Sequence, residues 1–117
     1  MKKCIGEKTL MRIFIGESDK IDGRPLYKEV LKTLRKTGMA GATVLHGVAG
    51  YGARSVYHTS NILRLSQDLP VVIEVVDSDE KIQEIIPILD KMLNGGMITL
   101  EKADVIMYRS GSEVSCE

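Results

Sequence analysis

The chain has 117 residues, 44% hydrophobic and 27% charged, and its 16 Lys plus Arg balance 16 Asp plus Glu for a formal net charge of zero. That is one domain's length, enough to bury a core of its own, and the charge balance argues against a general binder of nucleic acid or anionic membrane, which carries a basic excess. No apolar run approaches the ~20 residues that span a bilayer, and the N-terminal Met1 to Gly6 has charges without the apolar stretch of a signal peptide.

In chain order, Leu10 to Ile15 reads as the first strand, with Met11, Ile13 and Ile15 on one face and Arg12 and Phe14 on the other. Glu17 to Gly23 reads as a polar turn. Pro25 suits the first turn of a helix, where its missing N–H costs nothing. That helix carries Leu26, Tyr27, Val30, Leu31 and Leu34 in one stripe, and Gly38 is placed to end it as the C′ residue. Lys28, Glu29, Lys32, Arg35 and Lys36 form its solvated side. Ala42 to Leu45 begins a second strand that runs into a glycine-rich segment. Residues 53–69 show no clean period and are rich in Ser, Thr, Asn, Arg and His, which predicts a long loop with a helical turn near Asn61–Leu65. Loops this long in compact domains are usually functional or mobile.

Pro70 to Asp77 reads as the third strand. Asp77, with Glu80 three residues on, predicts a capping box for a second helix with Ile82, Ile85, Ile86, Leu89 and Leu93 on one face. Pro87 falls inside it, at a cost of ~3 kcal/mol in a regular helix, so a kink or break near Glu84–Ile86 is expected. Asn94-Gly95-Gly96 ends that helix. Met97 to Tyr108 is the last extended segment, with an interruption expected near Glu101–Asp104. Residues 110–117 read as a disordered tail beyond a single domain of residues 1–109.

The order β-α-β-loop-β-α-β with right-handed crossovers gives an α+β, ferredoxin-like arrangement: a four-stranded antiparallel sheet with two helices on one face. Strand 70–77 is nevertheless apolar on both sides, with Val71, Ile73 and Val75 on one and Val72 and Val76 on the other, and Phe14 extends the second face. A near-continuous apolar strand implies cover on both faces. With no further segment to supply it, a homo-oligomer packed sheet to sheet is expected.

The stretch Gly41-Ala-Thr-Val-Leu-His-Gly-Val-Ala-Gly-Tyr-Gly-Ala-Arg54 carries the most chemistry. Gly47, Gly50 and Gly52 leave the backbone uncovered, so N–H groups can turn toward an anion, and Arg54 adds a planar cationic fork suited to phosphate. The spacing G-x-x-G-x-G is neither the dinucleotide fingerprint nor the P-loop. A glycine-rich strand end with a bulge is the plain structural alternative.

In combination, Gly38-x-x-Gly-x-Thr-Val44 followed by Gly50-Tyr51-Gly52, Leu69-Pro70 with Ile73-Glu74-Val75-Val76, and Val105-Ile-Met-Tyr-Arg-Ser-Gly111 resemble the PII-like signalling proteins. Gly-Ala-Thr-Val-Leu-x-Gly-x-Ala-Gly-x-Gly-Ala-Arg-Ser with Leu-Pro-Val-Val-Ile-Glu-Val-Val-Asp is similar to an uncharacterised, domain-of-unknown-function branch of that superfamily, over residues 8–109. The resemblance implies a homotrimer with adenine nucleotide (ADP, ATP or AMP, with Mg²⁺ as a possible companion) between subunits. It places Gly50, Tyr51 and Gly52 along the phosphates, Ala53 in the same nucleotide-binding stretch and Arg54 at a ligand-sensing position. Thr43 and Glu74 fall near the base, and Arg109 reaches phosphates across the subunit boundary. Met107 stands where the family has a first arginine, and the usual phosphate lysine has no clear counterpart beyond Lys102. With fewer cations, ADP or AMP is expected to suit the cleft as well as ATP. The 53–69 loop corresponds to the family's T-loop, which docks onto a membrane transporter or an enzyme, although its sequence does not match.

Other chemistry is weaker. Arg12 could meet either a cleft or a neighbouring acid. His46 and His58 lack an ordered partner for metal binding, and Glu17, Asp19 and Asp22 lack calcium-loop spacing. Cys4 and Cys116, at opposite ends, have no metal-ligand spacing, which fits a reduced, cytoplasmic protein. The leading expectation is therefore a non-enzymatic nucleotide sensor. The alternative, a nucleotide-phosphate-processing enzyme, wants carboxylates for Mg²⁺ and a water-orienting residue, which the glycine-rich segment does not carry. A sheet-surface RNA binder wants exposed aromatics, and this chain has one Phe and no Trp. Neither nucleic acid nor direct membrane insertion is expected.

Overall fold

In the computed structural model, which describes residues 5–52 and 68–109, alternation of apolar and polar residues drives the sheet. Strand β1 (Gly6–Gly16) buries Met11, Ile13 and Ile15 and turns Leu10, Arg12 and Phe14 the other way. A two-residue hairpin follows, β2 (Lys20–Ile21) and β3 (Arg24–Pro25). Its turn is Asp22-Gly23, with φ of 51° and 79°. Two successive positive φ values define the type I′ turn that matches the twist of paired strands. The stretch 17–23 is thus more ordered than a polar turn, and Asp-Gly was its available signal.

Helix α1 (Leu26–Lys36) starts one residue later than the sequence suggests, with Pro25 at the N-cap. It ends at Gly38, φ 90°, where the Met39 N–H reaches the Leu34 carbonyl (3.1 Å) and the Gly38 N–H the Arg35 carbonyl (3.2 Å). This pair of bonds is a Schellman motif, which satisfies carbonyls left open by the helix end. Strand β4 (Thr43–His46) and strand β5 (Pro70–Asp77) follow.

Helix α2 (Asp79–Met92) is capped by Ser78, whose Oγ accepts from the Lys81 N–H at 3.3 Å, rather than by Asp77. Asp77 is engaged elsewhere: its carboxylate accepts from the N–H of Ser78 (2.7 Å) and of Ala40 (2.9 Å), tying the α1–β4 connection to the start of α2. The helix runs through Pro87 without a break. Pro87 and Gln83 are both exposed, so the carbonyl that loses its partner lies on the wet side, where a proline is best tolerated. Strand β6 (Met97–Val105) is likewise uninterrupted at Glu101–Asp104, because the ladder to β1 uses backbone groups whatever the side chains. It stops at Val105, short of Tyr108.

The four main strands form one sheet in the order β4-β5-β1-β6, every neighbouring pair antiparallel, which is the ferredoxin-like topology. Met11, Ile13, Ile15, Val71, Ile73 and Val75 meet Leu26, Val30 and Leu34 of α1 and Ile82, Ile85 and Leu89 of α2 in a single buried core. The register puts Leu45, Val72, Phe14 and Met97 in one row across the opposite face, with Leu10 and Val76 beyond the polar row that follows. Leu45 (47%), Met97 (53%) and Val76 (38%) are exposed. Among the described residues no helix covers this face. Residues 53–67 and 110–117, including the expected turn at Asn61–Leu65 and the tail, lie outside the described residues.

Gly96 joins α2 to β6 with φ 101°, and a Cβ there would lie 2.4 Å from the Phe14 carbonyl oxygen. Both strain and collision fall on backbone, which cannot swing aside. Gly96→Ala should therefore destabilise the fold by about 2 kcal/mol or more, read as a lower urea midpoint; unchanged stability would contradict this packing.

Candidate functional site

Thr43 on β4 and Glu74 on β5 are cross-strand partners. Side chains opposite each other on one face are neighbours, so the two residues expected near a base do come together. They line an open cleft of about 1030 Å³ at the end of the uncovered face, where the α1–β4 connection meets the start of α2. Val76 and Tyr108 add apolar surface to it. Four carboxylates line the cleft, Glu74, Asp77, Glu80 and Glu84, against two lysines, Lys8 and Lys81. Lys81 Nζ also donates to the Gly38 carbonyl at 3.1 Å, at the end of α1. Such a lining suits an uncharged, hydrogen-bonding ring and sugar better than a run of phosphates.

Glu74 is held by Arg12, whose Nε donates to Glu74 Oε2 at 2.9 Å while its Nη1 donates to Glu101 Oε2 at 2.6 Å. The hydrogen bond to Glu74, then that to Glu101, pushes the guanidinium's pKa still higher than usual, so Arg12 stays cationic across any working pH. Arg12 therefore meets neighbouring acids, one of which lines the cleft. One Glu74 oxygen is committed to this pair.

The glycine-rich segment divides by role. The Gly47 N–H donates to the Pro70 carbonyl at 2.7 Å, and a Cβ on Gly47 would come within 2.6 Å of Pro70 Cγ. At Gly50 the same atom would lie 3.0 Å away. These two glycines let the segment lie against the start of β5, as the plain structural reading holds. A Cβ on Gly52 meets nothing within 4 Å. Beside it Tyr51 is 81% exposed. Ala53 and Arg54 lie outside the described residues.

The remaining candidates are dispersed within one chain. Lys102 lies on β6, at the far edge from Thr43, three strand spacings or roughly 14 Å across the sheet and three residues further along it. It pairs with Thr9, on the helix-covered side, and its Nζ meets Glu7 at 3.4 Å. Arg109 follows the cleft-lining Tyr108, with its Nη1 3.2 Å from Met107 Sδ. Tyr108, Lys8 and the α2 carboxylates were missed by sequence reasoning, because a cleft between sheet end and helix start has no local pattern. His46 packs edge-on against Tyr27, ring centres 5.2 Å apart. Among the described residues, no three His, Cys, Asp or Glu gather to hold a metal ion, and no helix is long and apolar enough to cross a membrane.

The ferredoxin-like sheet with two helices on one face is a fold shared with solved PII-like signalling proteins. The chain superposes on a PII-like signalling protein of Thermus thermophilus with a TM-score of 0.62 and 16% identity, covering 87% of this chain and 92% of that one. It superposes on CPII from Thiomonas intermedia, solved with ADP, AMP and acetate, with a TM-score of 0.53 and 16% identity over 86% of this chain and 90% of that one. The family itself is more specific: the chain belongs to DUF190 (Uncharacterized ACR), whose family model matches residues 8–105. It is 38% identical over 100 residues to a UPF0166 protein of Aquifex aeolicus, covering 86% of this chain and 94% of that protein. Against a UPF0166 protein of Methanocaldococcus jannaschii it is 40% identical over 97 residues, 82% of this chain and 89% of the other.

The two kinds of glycine should separate in a denaturation experiment. Gly47→Ala should cost about 1–3 kcal/mol by overpacking against Pro70, while Gly52→Ala should stay within about 0.5 kcal/mol. Equal losses at both would refute the division.

Proposed function

We propose that the protein is a non-enzymatic regulator that binds adenine nucleotide at the interfaces of a homotrimer and signals through residues 53–69. The observation that carries this reading is the likeness of its fold to PII-like proteins, one of which was solved with ADP and AMP bound. Residues 1–109 act as the one domain. The apolar row Leu45, Val72, Phe14 and Met97 supplies a reason to assemble, since large apolar surface is stabilised by being taken out of water. The base and ribose occupy the acidic cleft beside Thr43 and Glu74. The phosphates extend toward Gly50, Tyr51, Gly52, Ala53 and the cation Arg54, with Arg109 contributing from the end of β6. Lys102, on the far edge, serves a neighbour's cleft. Mg²⁺ accompanies the longer phosphate chains, and with Met107 in place of a cation, ADP and AMP bind as well as ATP.

A ligand shifts a conformational equilibrium only as far as it binds one state better than the other. Here the phosphates touch residues at the entrance to segment 53–69, so nucleotide occupancy biases that segment's conformation. It then presents or hides a surface for a membrane transporter or an enzyme in the cytoplasm.

Calorimetric titration with AMP, ADP, ATP and cyclic AMP, with and without Mg²⁺, tests the proposal. Saturable binding of at least one is expected, without turnover. Arg54→Ala should weaken it about tenfold or more, through loss of a charge-assisted bond, and Thr43→Val by up to about tenfold. No binding by any of the four, or product formation during the titration, would sink the reading.

A further inference from the structure

A second cavity lies on the other side of the α1–β4 connection. Residues 40–42 form a wall common to both: one side faces the acidic cleft, the other a groove of about 560 Å³ along α1. The groove has an apolar floor of Leu31, Leu34 and Met39 and a rim of Lys28, Lys32 and Arg35. Lys32 also faces Glu29 at 3.6 Å, and no carboxylate lines the groove among the described residues. Its chemistry is therefore opposite to that of the cleft: an anionic segment bearing a small apolar side chain would be drawn to the groove and repelled from the cleft.

The chain carries such a segment. Residues 110–117, Ser-Gly-Ser-Glu-Val-Ser-Cys-Glu, hold Glu113 and Glu117, no Lys or Arg, and Val114 between them. They begin just beyond Tyr108, which lines the cleft along with residues 40–42, the wall shared with the groove. Eight residues reach at most roughly 26 Å when extended, more than enough to cross a three-residue wall. We propose that residues 110–117 dock into the α1 groove, with Val114 on the Leu31–Met39 floor and Glu113 and Glu117 against the Lys28, Lys32 and Arg35 rim. Docking of this kind adds nothing to the domain core. Like other exposed charge attraction it weakens with salt, and it gives the acidic cleft and the basic groove separate occupants.

The test uses the full chain with Cys4→Ser, so that a nitroxide can be attached to Cys116 alone. At about 0.05 M salt, the amide signals of Leu31, Lys32 and Met39 should lose at least about half their intensity relative to the reduced label, and about 1 M salt should restore them. Glu113→Lys with Glu117→Lys, which leaves the core untouched, should restore them at low salt, as should Lys32→Glu with Arg35→Glu on the exposed helix face. Full intensity at low salt would overturn the proposal. So would quenching centred on the cleft residues of α2, or quenching that persists unchanged when the two glutamates are reversed.

Discussion

The rest of the structure depends on an imbalance between the two faces of its sheet. Two helices bury Met11, Ile13, Ile15, Val71, Ile73 and Val75, and nothing among the described residues buries the row Leu45, Val72, Phe14 and Met97 on the other side. An apolar surface of that kind on one chain is a reason to associate. In its middle sits Arg12 between Glu74 and Glu101. Two carboxylates around one guanidinium leave a net negative charge between apolar rows of that face. Any packing of copies over it must keep these groups hydrogen-bonded or solvated, because an unpaired buried charge is costly.

The same face leads into the candidate site. β4 and β5 bring Thr43 and Glu74 side by side, and the Arg12 bond fixes one oxygen of Glu74. Asp77 pins the α1–β4 connection to the start of α2, forming the far wall of the cleft. Sheet packing, cleft shape and the ion-pair network are therefore mechanically one assembly. A change of packing on the open face would reach Glu74 through Arg12 in a single step. In the proposed function, subunit association and ligand binding meet at these residues.

The four main strands and both helices were legible in the sequence because period-2 and period-3.6 patterns are local. β5 was read to its ends, since Pro70 and Asp77 punctuate an unbroken apolar run. The helix cap falls one residue beyond Asp77 because Asp and Ser cap equally well by type, and only the bonds that draw the Asp77 carboxylate to the Ala40 N–H and the Ser78 Oγ to the Lys81 N–H decide between them. The expected break in β6 followed side-chain polarity, whereas strand pairing follows backbone groups. Of the candidate site, Thr43 with Glu74 was recoverable through strand register once the topology was known. The carboxylates Glu80 and Glu84 were not, because they join the cleft only through the way α2 leaves the sheet. Similarly, two of the three glycines that first suggested an anion site serve to admit Pro70, and sequence alone does not separate them from Gly52.

The most direct test of the account is the mass of the full chain in solution by sedimentation velocity at micromolar concentration. The proposed homotrimer, with its open apolar face covered by other copies, predicts a single species of three times the chain mass. A stable monomer would contradict the account, since the Leu45, Val72, Phe14 and Met97 row would then face water and the proposed sites between subunits would not exist.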